Sequence, residues 1–488
     1  MRSRSRDPGV LGWRVFFTRR ELGLPQSSTD VMVDVAALDD WLDEYRIEDG
    51  SPYLIDPLGR YDVDLNDYFV RVLANEPTTT QAAVAYDLKR FLKFLWDNRG
   101  RRSWKAATAD DREAFKHWRL HDAAGPRVEM TTWDREVATV HQFYLWAVAA
   151  GHASRNPFRH RASRSRDPRR APGGPTPAEA SHEGRPNDVE WLPPATYRLW
   201  RDTGVRGFTP QGLPDRSFRG RFASRNSAYT DAMIRTGLRL SEQTALSLFE
   251  LPGPVPGVLN ARTWLPEAIA KGGSARRVYF PASALKDIWD YVETDRAEAV
   301  EEAREKGLYE RIRRPLIVPD ARRPVVVVDG ERVAIGKLDE RERRRVLIDT
   351  ARGLEPAALW LNRYGLPSRP SGWQEVFKTA NARCARLGLR VSCHAHVLRH
   401  SFAVITLEQL WRGHIQELAE MTPRQRETYQ MVFGDPLNWV RMRLGHRSIE
   451  TTQIYLNPRE LHQAGENLQV ARSRWGAEGL RRYYELAV

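Results

Sequence analysis

The sequence predicts a mainly helical α+β protein, in which a helical domain and a linker precede a larger helical domain with a small β-sheet. Three observations predict it: two amphipathic stretches before residue 160, an Arg/Pro/Gly-rich run after it, and short β segments among helical patterns beyond residue 191. With 488 residues, the chain exceeds one ordinary core. We therefore expect the divisions 1–75, 76–160, 161–190 and 191–488.

The helical domain is predicted from two stretches whose apolar residues recur at helical spacing. The first begins near Thr80, and the second follows Thr132 and ends near Gly151 and Asn156-Pro157. Residues 78–158 are thus expected to form a compact helical bundle. Residues 1–75 alternate short apolar runs with turns, and their role stays open.

The linker is predicted from a change in composition. Between Arg155 and Arg170 there are seven arginines and one acid, and the following RAPGGPTPAEASHEGRP is rich in Pro, Gly and small residues. It is either a solvated tether or one that also binds phosphates. The whole chain has 76 Lys and Arg against 63 Asp and Glu, a net charge of +13, which favours a polyanionic partner such as nucleic acid.

Cysteine content and hydropathy bear on the compartment. Two cysteines, Cys384 and Cys393, are too few for a disulfide scaffold. The N-terminal MRSRSRDPGVLGW lacks a signal-peptide core, and no apolar stretch approaches the about 20 residues that cross a bilayer. We expect a soluble, cytoplasmic protein without a membrane partner.

Two β-hairpins are predicted in the second domain. In the first, WLPEAIA and RRVYFP are expected to be strands on either side of the Gly-rich turn KGGS. In the second, VVVVDGERVAI, the pair Asp329-Gly330 suits a tight type I′ turn.

Four segments of the second domain supply groups that suit phosphodiester exchange, which needs a nucleophile, cations around the phosphate oxygens and an acid for the leaving oxygen. In TGLRLSE, Gly237 permits a tight turn, Arg239 stands at a helix start, and Glu242 can orient its guanidinium. In KGGS, the mobile ammonium of Lys271 can donate a proton.

The third and fourth segments supply imidazoles, a second guanidinium and a phenol. In HVLRH, His396 and Arg399 lie three residues apart, on one helical face, and His400 ends the motif. In LGHRSIETTQIY, His446 follows a glycine and Tyr455 lies nine residues downstream.

In this order, the four motifs resemble the signature of the tyrosine recombinases, the family of phage and mobile-element integrases. The resemblance covers about residues 190–460 and extends to the preceding bundle, which is similar to the family's SAM-like core-binding domain. It implies a SAM-like domain followed by a tyrosine-recombinase catalytic domain. It also implies a site-specific recombinase that integrates or excises a mobile element through a 3′-phosphotyrosyl intermediate.

The resemblance also implies roles for the individual side chains. Arg239 and Arg399 would clamp the scissile phosphate, Lys271 would be the general acid for the departing 5′ hydroxyl, and Tyr455 would be the nucleophile. Because the covalent link conserves the energy of the broken bond, another 5′ hydroxyl can attack it without ATP; no cofactor and no metal is implied. Two histidines that hydrogen-bond the phosphate or assist proton transfer, and two supporting side chains, complete the set: His396 and His446, and Glu242 and His400.

The implied partner is double-stranded DNA with attachment or recombination sites, on which four copies would assemble as a homotetramer, with a possible accessory directionality factor. The tail after Pro458 would dock on a neighbouring subunit or on its own domain. Residues 1–75 could bind outlying arm sites, contribute to the bundle or serve in assembly.

The spacing departs from the family pattern at two places. Arg399 and His446 are 47 residues apart, and GHIQELAEMTPRQRETYQMVFGDP suggests an insertion near 410–436. The interval from Lys271 to His396 is also long, with a second insertion near 300–350. We expect both insertions to be surface elaborations.

Three alternatives remain. A type IB topoisomerase uses similar groups to relax supercoils as a monomer, and a catalytically silent DNA-binding protein could keep the fold. A zinc site is suggested by CHAHVLRH, in which Cys393, His394, His396 and His400 crowd together. However, the glutamate that follows the first histidine of a zinc protease helix is replaced by Val397.

Overall fold

The computed structural model describes residues 12–18, 47, 50–123, 125–158, 160–161, 176–177, 189–312, 314–328, 330–420, 436–448 and 450–453. For residues 160–161, 176–177, 411–420, 450 and 453 the description is of the backbone alone. The chain divides into two compact units, Met1–Gly184 and Arg185–Val488. The described residues are mainly helical with small sheets, which confirms the predicted fold class.

The first unit consists of four helices and two short strand pairs among its described residues. In chain order these are β1 (Arg14–Phe17), β2 (Pro52–Ile55), α1 (Val63–Arg71), α2 (Thr78–Asn98), α3 (Ala109–Leu120), α4 (Met130–Ala149), β3 (His160–Arg161) and β4 (Thr176–Pro177). β1 pairs with β2, and β3 with β4, both antiparallel. Helices α2 and α4 confirm the two amphipathic stretches.

The core of the first unit is rich in aromatic rings. Phe115 of α3 is fully buried, with its ring centroid 5.1 Å from that of Phe91 and 5.5 Å from that of Trp133. The start of α3 is fixed by a capping box between Thr108 and Asp111. Helix α1 adds its own buried side chains to this core, which therefore includes residues on both sides of position 75: Leu65, Tyr68 and Phe69.

The second unit is larger. Its described elements are α5 (Pro194–Trp200), α6 (Ala223–Thr236), α7 (Leu240–Thr244), β5 (Asn260–Leu265), β6 (Arg276–Pro281), α8 (Ala282–Tyr291), α9 (Ala297–Glu305), β7 (Leu316–Val318), β8 (Val325–Val328), β9 (Glu331–Ala334), α10 (Glu340–Arg343), β10 (Val346–Thr350), β11 (Gly353–Pro356), α11 (Pro370–Arg386), α12 (Ala395–Glu420), α13 (Pro436–Leu444) and α14 (Glu450–Gln453).

Helix α12 lies at the centre of this unit. It packs against α6 and α13, and it buries Val397, Leu398 and Phe402 in the main core. The rings of Tyr229 on α6 and Trp373 on α11 stack with centroids 3.5 Å apart in the same core. The helix that carries the HVLRH motif is therefore held on several sides by packed apolar groups.

The first predicted hairpin forms, but its first strand was placed wrongly. β5 pairs with β6 from Asn260 opposite Pro281 to Leu265 opposite Arg276, so the strand ends within WLPEAIA instead of continuing through it. Pro266 has no N–H to donate to a ladder, which ends the strand, and Glu267–Ile269 forms a 3₁₀ turn. A second such turn, Lys271–Gly273, carries the predicted lysine.

The segment near 300–350 contains the second predicted hairpin, which is confirmed: β8 pairs with β9, and Gly330 adopts a φ of 84°. Asp329 lies outside the described residues. β7, β10 and β11 form a three-stranded sheet in the order β11-β10-β7, with β7 and β10 parallel. This segment has an apolar cluster of its own, which includes Val318, Val326 and Val346.

In the segment near 410–436, helix α12 continues to Glu420, and residues 421–435 lie outside the described part of the chain. The tail after Pro458 also lies outside it. Among the described residues, no helix is long and apolar enough to span a membrane.

Phe115→Ala should weaken the first unit by about 3–5 kcal/mol, because it removes a buried ring from an aromatic cluster that cannot fully collapse. Hydrogen exchange of the full chain, followed in peptides from α2 and α4, would show this as faster exchange. Leu58→Ala is the matched control, since Leu58 is 59% exposed; its effect should stay within about 0.5 kcal/mol. Equal exchange in the two variants would contradict the proposed core.

Candidate active site

Arg239 is positioned by the tight turn between α6 and α7. Gly237 ends α6 with a φ of 66°, and a Cβ atom there would lie 2.3 Å from Cδ1 of Phe402. Both the left-handed backbone and the close approach of α12 therefore require glycine. Arg239 follows as the residue that precedes α7, with a side chain 22% exposed. The turn thus holds this guanidinium at the surface beside α12.

Glu242 is the buried carboxylate that orients Arg239. It accepts hydrogen bonds from the backbone N–H of Arg239 at 2.9 Å and from its Nη1 at 2.8 Å. It also accepts from Arg276 Nη2 at 2.6 Å and from the backbone N–H of Lys271 at 3.3 Å. Burial raises the pKa of the Glu242 carboxyl, but the bonds and charges of Arg276 and Arg239 lower it to about 2. Glu242 is therefore ionised at neutral pH.

Arg276 is a site residue that the sequence motifs missed. Its side chain is 6% exposed, and its Nε donates to the backbone carbonyl of Arg443 at 2.9 Å, just before the LGH motif. Because side chains alternate along a strand, Arg276 shares the inward face of β6 with the buried Val278 and Phe280. An arginine at an inward strand position is the signal that could have identified it.

Arg399 connects two of the predicted motifs. Its side chain is almost fully buried, and its two terminal nitrogens donate to the backbone carbonyls of Gly237 and Leu444. Gly237 lies two residues before Arg239, and Leu444 lies two residues before His446. The guanidinium of Arg399 therefore joins the Arg239 turn to the His446 segment.

His396 and His400 lie one turn apart at the start of α12, with ring centroids 4.4 Å apart. Burial lowers the pKa of His396, and the charges of Arg399 and His394 lower it further, with smaller contributions from Arg239 and Lys271. Burial also lowers the pKa of His400, and the neighbouring His396 lowers it further, to about 3. Both imidazoles are neutral at neutral pH.

His446 follows the end of α13. Gly445 before it has a φ of 64°, a left-handed conformation that favours glycine, and a Cβ atom there would lie 3.0 Å from Oγ of Ser274 and 3.1 Å from Nη1 of Arg276. Nδ1 of His446 lies 2.9 Å from Oγ1 of Thr452, a buried residue of the same motif to which the sequence prediction gave no role. Burial lowers the pKa of His446, and the charges of Arg399 and Arg239 lower it further, to about 4. Its imidazole is thus neutral in the protein without DNA.

Lys271 is exposed in the connection between β5 and β6. Its backbone N–H contacts Glu242, and the next carbonyl, that of Gly272, accepts a hydrogen bond from Nη2 of Arg447 at 2.6 Å. The lysine turn therefore lies between the Arg239 segment and the His446 segment.

The described part of the structure brings together five of the six predicted catalytic residues and both supporting residues. Tyr455 lies outside the described residues, which end at Gln453 of α14. The assembled groups are the ones that our sequence prediction named: Arg239, Lys271, His396, Arg399, His446, Glu242 and His400. Such a cluster of guanidiniums with neutral imidazoles suits a phosphate whose oxygens gain charge in a transition state.

The residues suggested for a zinc site do not form one. Cys393 is fully buried, and its thiol lies 3.8 Å from the carbonyl oxygen of His394. The side chain of His394 is 56% exposed. Within the described ranges, no group of three or more His, Cys, Asp or Glu residues is arranged to hold a metal ion.

Comparisons with known proteins bear on the first unit and on the fold. Residues 67–151 match the family model described as the phage integrase N-terminal SAM-like domain, which confirms the predicted SAM-like helical domain. No curated protein sequence matches the chain significantly.

Several solved structures are similar to this chain. The XerH site-specific recombinase bound to palindromic difH substrate, in a post-cleavage complex, is 15% identical with a TM-score of 0.43, and the match covers 84% of this chain and 83% of that one. The Tn1549 transposon integrase in complex with a circular intermediate DNA is 13% identical with a TM-score of 0.43, covering 83% and 98%. A lambda integrase dimer bound to a COC′ core site is 12% identical with a TM-score of 0.39, covering 81% and 95%.

Glu242→Gln should lower the free energy of unfolding of the second unit by about 3–5 kcal/mol, because it leaves the buried Arg276 without its counter-charge. Scanning calorimetry of the full chain would measure this. The matched control is Glu375→Gln, whose ion pair with Lys378 has side chains 65% and 78% exposed; its effect should be about 0–1 kcal/mol. If the two variants unfold alike, Glu242 does not organise the site.

Acid should weaken the second unit over two overlapping pH ranges. The histidines have pKa values below 6.5 in the fold, lowered to about 4 for His446 and about 3 for His400, so the unfolded chain takes up their protons first, and stability falls between pH 6.5 and about 3. Glu242, with its pKa lowered to about 2, adds a further loss as the pH falls below 4.5. His446→Asn should reduce the loss above pH 4.5 in calorimetric titrations. An unchanged slope would contradict a neutral His446 in the fold.

Proposed function

We propose that this chain, which contains a phage integrase N-terminal SAM-like domain, is a site-specific tyrosine recombinase that cuts and rejoins DNA through a 3′-phosphotyrosyl link to Tyr455. One observation carries the proposal: Arg399 joins the turn of Arg239 to the segment of His446 through two backbone carbonyls. Three motifs that are far apart in the chain thereby form one cationic cluster, and the fourth joins it through the Lys271 N–H, which donates to Glu242.

The two guanidiniums are proposed to hold the scissile phosphate. The two terminal nitrogens of Arg399 donate hydrogen bonds to backbone carbonyls, which fixes the plane of its guanidinium before DNA binds. Arg239 is fixed by Glu242 and remains partly exposed, so it can present donors to phosphate oxygens. Preorganised donors stabilise the charge that accumulates on those oxygens without reorganising during the reaction.

The nucleophile and two kinds of proton-transfer group complete the step. The phenolic oxygen of Tyr455 forms a bond to phosphorus while the bond to the 5′ oxygen breaks. His396 and His446 have pKa values below their usual range, so their neutral rings can accept hydrogen bonds or assist removal of the phenol proton. The ammonium of Lys271 donates a proton to the departing 5′ oxygen. Attack of another 5′ hydroxyl reverses these transfers and rejoins the strand.

The proposed partner is double-stranded DNA that carries attachment or recombination sites. The net charge of +13 supports this, because cationic side chains displace counterions from phosphates. Two duplexes that are each cut on both strands require four nucleophiles, so we propose a homotetramer on DNA. An accessory directionality factor would decide between integration and excision.

Covalent trapping tests the proposed nucleophile. Attachment-site DNA with a nick that lets the 5′ product diffuse away should give a protein–DNA adduct with the wild-type chain, without nucleotide and in the presence of a chelator. Tyr455→Phe should lose it, because phenylalanine has no oxygen to bond to phosphorus. Tyr364→Phe is the matched control: this tyrosine is 53% exposed and lies outside the cluster, so the adduct should persist.

An adduct that Tyr455→Phe still forms would refute the proposal. Supercoil relaxation by one protomer without strand exchange would instead identify a type IB topoisomerase activity. DNA binding with no adduct in any variant would identify a silent DNA-binding protein.

A further inference from the structure

We propose that Arg447 is a positioning residue that holds the lysine turn, Lys271–Gly273, beside the scissile phosphate; this inference rests on the proposed function. Nη2 of Arg447 donates to the carbonyl oxygen of Gly272 at 2.6 Å. Arg447 directly follows His446, so the bond joins the segment of a phosphate-contacting imidazole to the turn of the general acid.

The lysine turn needs such a support because its own conformation is weakly determined. Gly272 and Gly273 follow Lys271 and adopt φ values of 67° and 70°. All three residues are exposed. Glycine has the largest backbone freedom, and two in succession let the lysine sample many positions.

The other contacts of the turn are local or longer. The Gly273 N–H donates to the Ala270 carbonyl and the Ala275 N–H to the Gly273 carbonyl, both at 2.9 Å and both between residues close to the turn in the chain. Ser274 Oγ donates to the Lys271 carbonyl at 3.0 Å, a bond within the turn itself. The Lys271 N–H reaches Glu242 at the longer distance of 3.3 Å, and that carboxylate also accepts from two arginines. The bond from Arg447 instead reaches the middle of the turn from a separate segment. It is short and charge-assisted, and its acceptor directly follows Lys271 in the chain.

The segment that carries Arg447 is itself firmly held. Arg276 binds the Arg443 carbonyl, Arg399 binds the Leu444 carbonyl, and Gly445 packs against Ser274 and Arg276. Arg447 therefore connects the exposed glycine-rich turn to a backbone segment that is itself held in place.

Loss of this bond should impair proton donation to the leaving oxygen and spare the phosphate clamp, because the bond of Arg447 goes to the Lys271 turn, whereas the guanidiniums of the clamp are held by Glu242 and by the Gly237 and Leu444 carbonyls. General-acid catalysis contributes about 10²–10⁴-fold to a rate, and misplacing the acid forfeits part of it. We expect Arg447→Gln to slow adduct formation about 10- to 100-fold on ordinary DNA.

A substrate that needs no general acid provides the test. Two trapping substrates would differ only at the bridging atom of the scissile phosphate, 5′ oxygen or 5′ sulfur. A thiol has a pKa of about 8.5, far below that of water at about 15.7, so the sulfur departs without being protonated. Arg447→Gln should be slow on the oxygen substrate and within about threefold of the wild-type rate on the sulfur substrate.

Three further variants sharpen the test. Lys271→Met should show the same rescue by sulfur, and Arg447→Lys should keep part of the rate on oxygen, since an ammonium can also donate to the Gly272 carbonyl. Arg352→Gln removes the same charge from an exposed turn between β10 and β11, and it should leave both rates unchanged.

Equal slowing of Arg447→Gln on both substrates would overturn the proposal, because it would indicate a role in folding or DNA binding. Wild-type rates on both substrates would overturn it as well, and so would a Lys271→Met variant that sulfur does not rescue. Failure of the proposed function looks different: the Tyr455→Phe variant would then still form an adduct, or the wild-type chain would form none on either substrate.

Discussion

The organisation of the site depends on one buried carboxylate, that of Glu242. It binds the guanidinium of Arg239 on its own turn, and it also binds the backbone of Lys271 and the guanidinium of Arg276, which both belong to the β5–β6 hairpin. Arg276 extends the network to the Arg443 carbonyl, and so to the LGH motif. A carboxylate in this position has to stay ionised, because a neutral group would leave a buried arginine unpaired. The low pKa of Glu242 shows that the arginines outweigh its desolvation.

The charge of the site is unbalanced in a way that favours an anionic ligand. The single carboxylate of Glu242 is shared by two guanidiniums, those of Arg239 and Arg276, and Arg399 donates to two neutral carbonyl oxygens. Burial and, after it, the same cations lower the pKa of His446 and keep its ring neutral. A bound phosphodiester would supply negative charge beside these groups, which would favour protonation of the imidazoles. The proposed phosphodiester would therefore offset the positive charge of the site and raise the pKa values of its histidines.

Residue type and spacing predicted most of the groups in the site, because each motif couples a turn or helix start to one functional side chain. Gly237 before Arg239 is such a case, since its backbone and packing both require glycine. Arg276 was missed because its partners, Glu242 and Arg443, lie 34 and 167 residues away. The first strand of the hairpin was misplaced because apolar residues continue past Pro266, whereas the backbone ladder ends before it, since proline has no N–H to donate.

The long interval between Lys271 and His396 does not separate the motifs, because the inserted segment packs beside them. Arg343, almost fully buried at the end of α10, donates to Glu250 at 3.0 Å and to the Ala245 carbonyl, just after α7. After β11, the chain returns beside the same region, where the Leu359 N–H donates to the Leu246 carbonyl at 2.9 Å. The insertion, expected to be a surface elaboration, thus places a buried ion pair against the residues that follow the Arg239 helix. The insertion is therefore packed against the chain directly after that helix, in addition to forming its own sheet and apolar cluster.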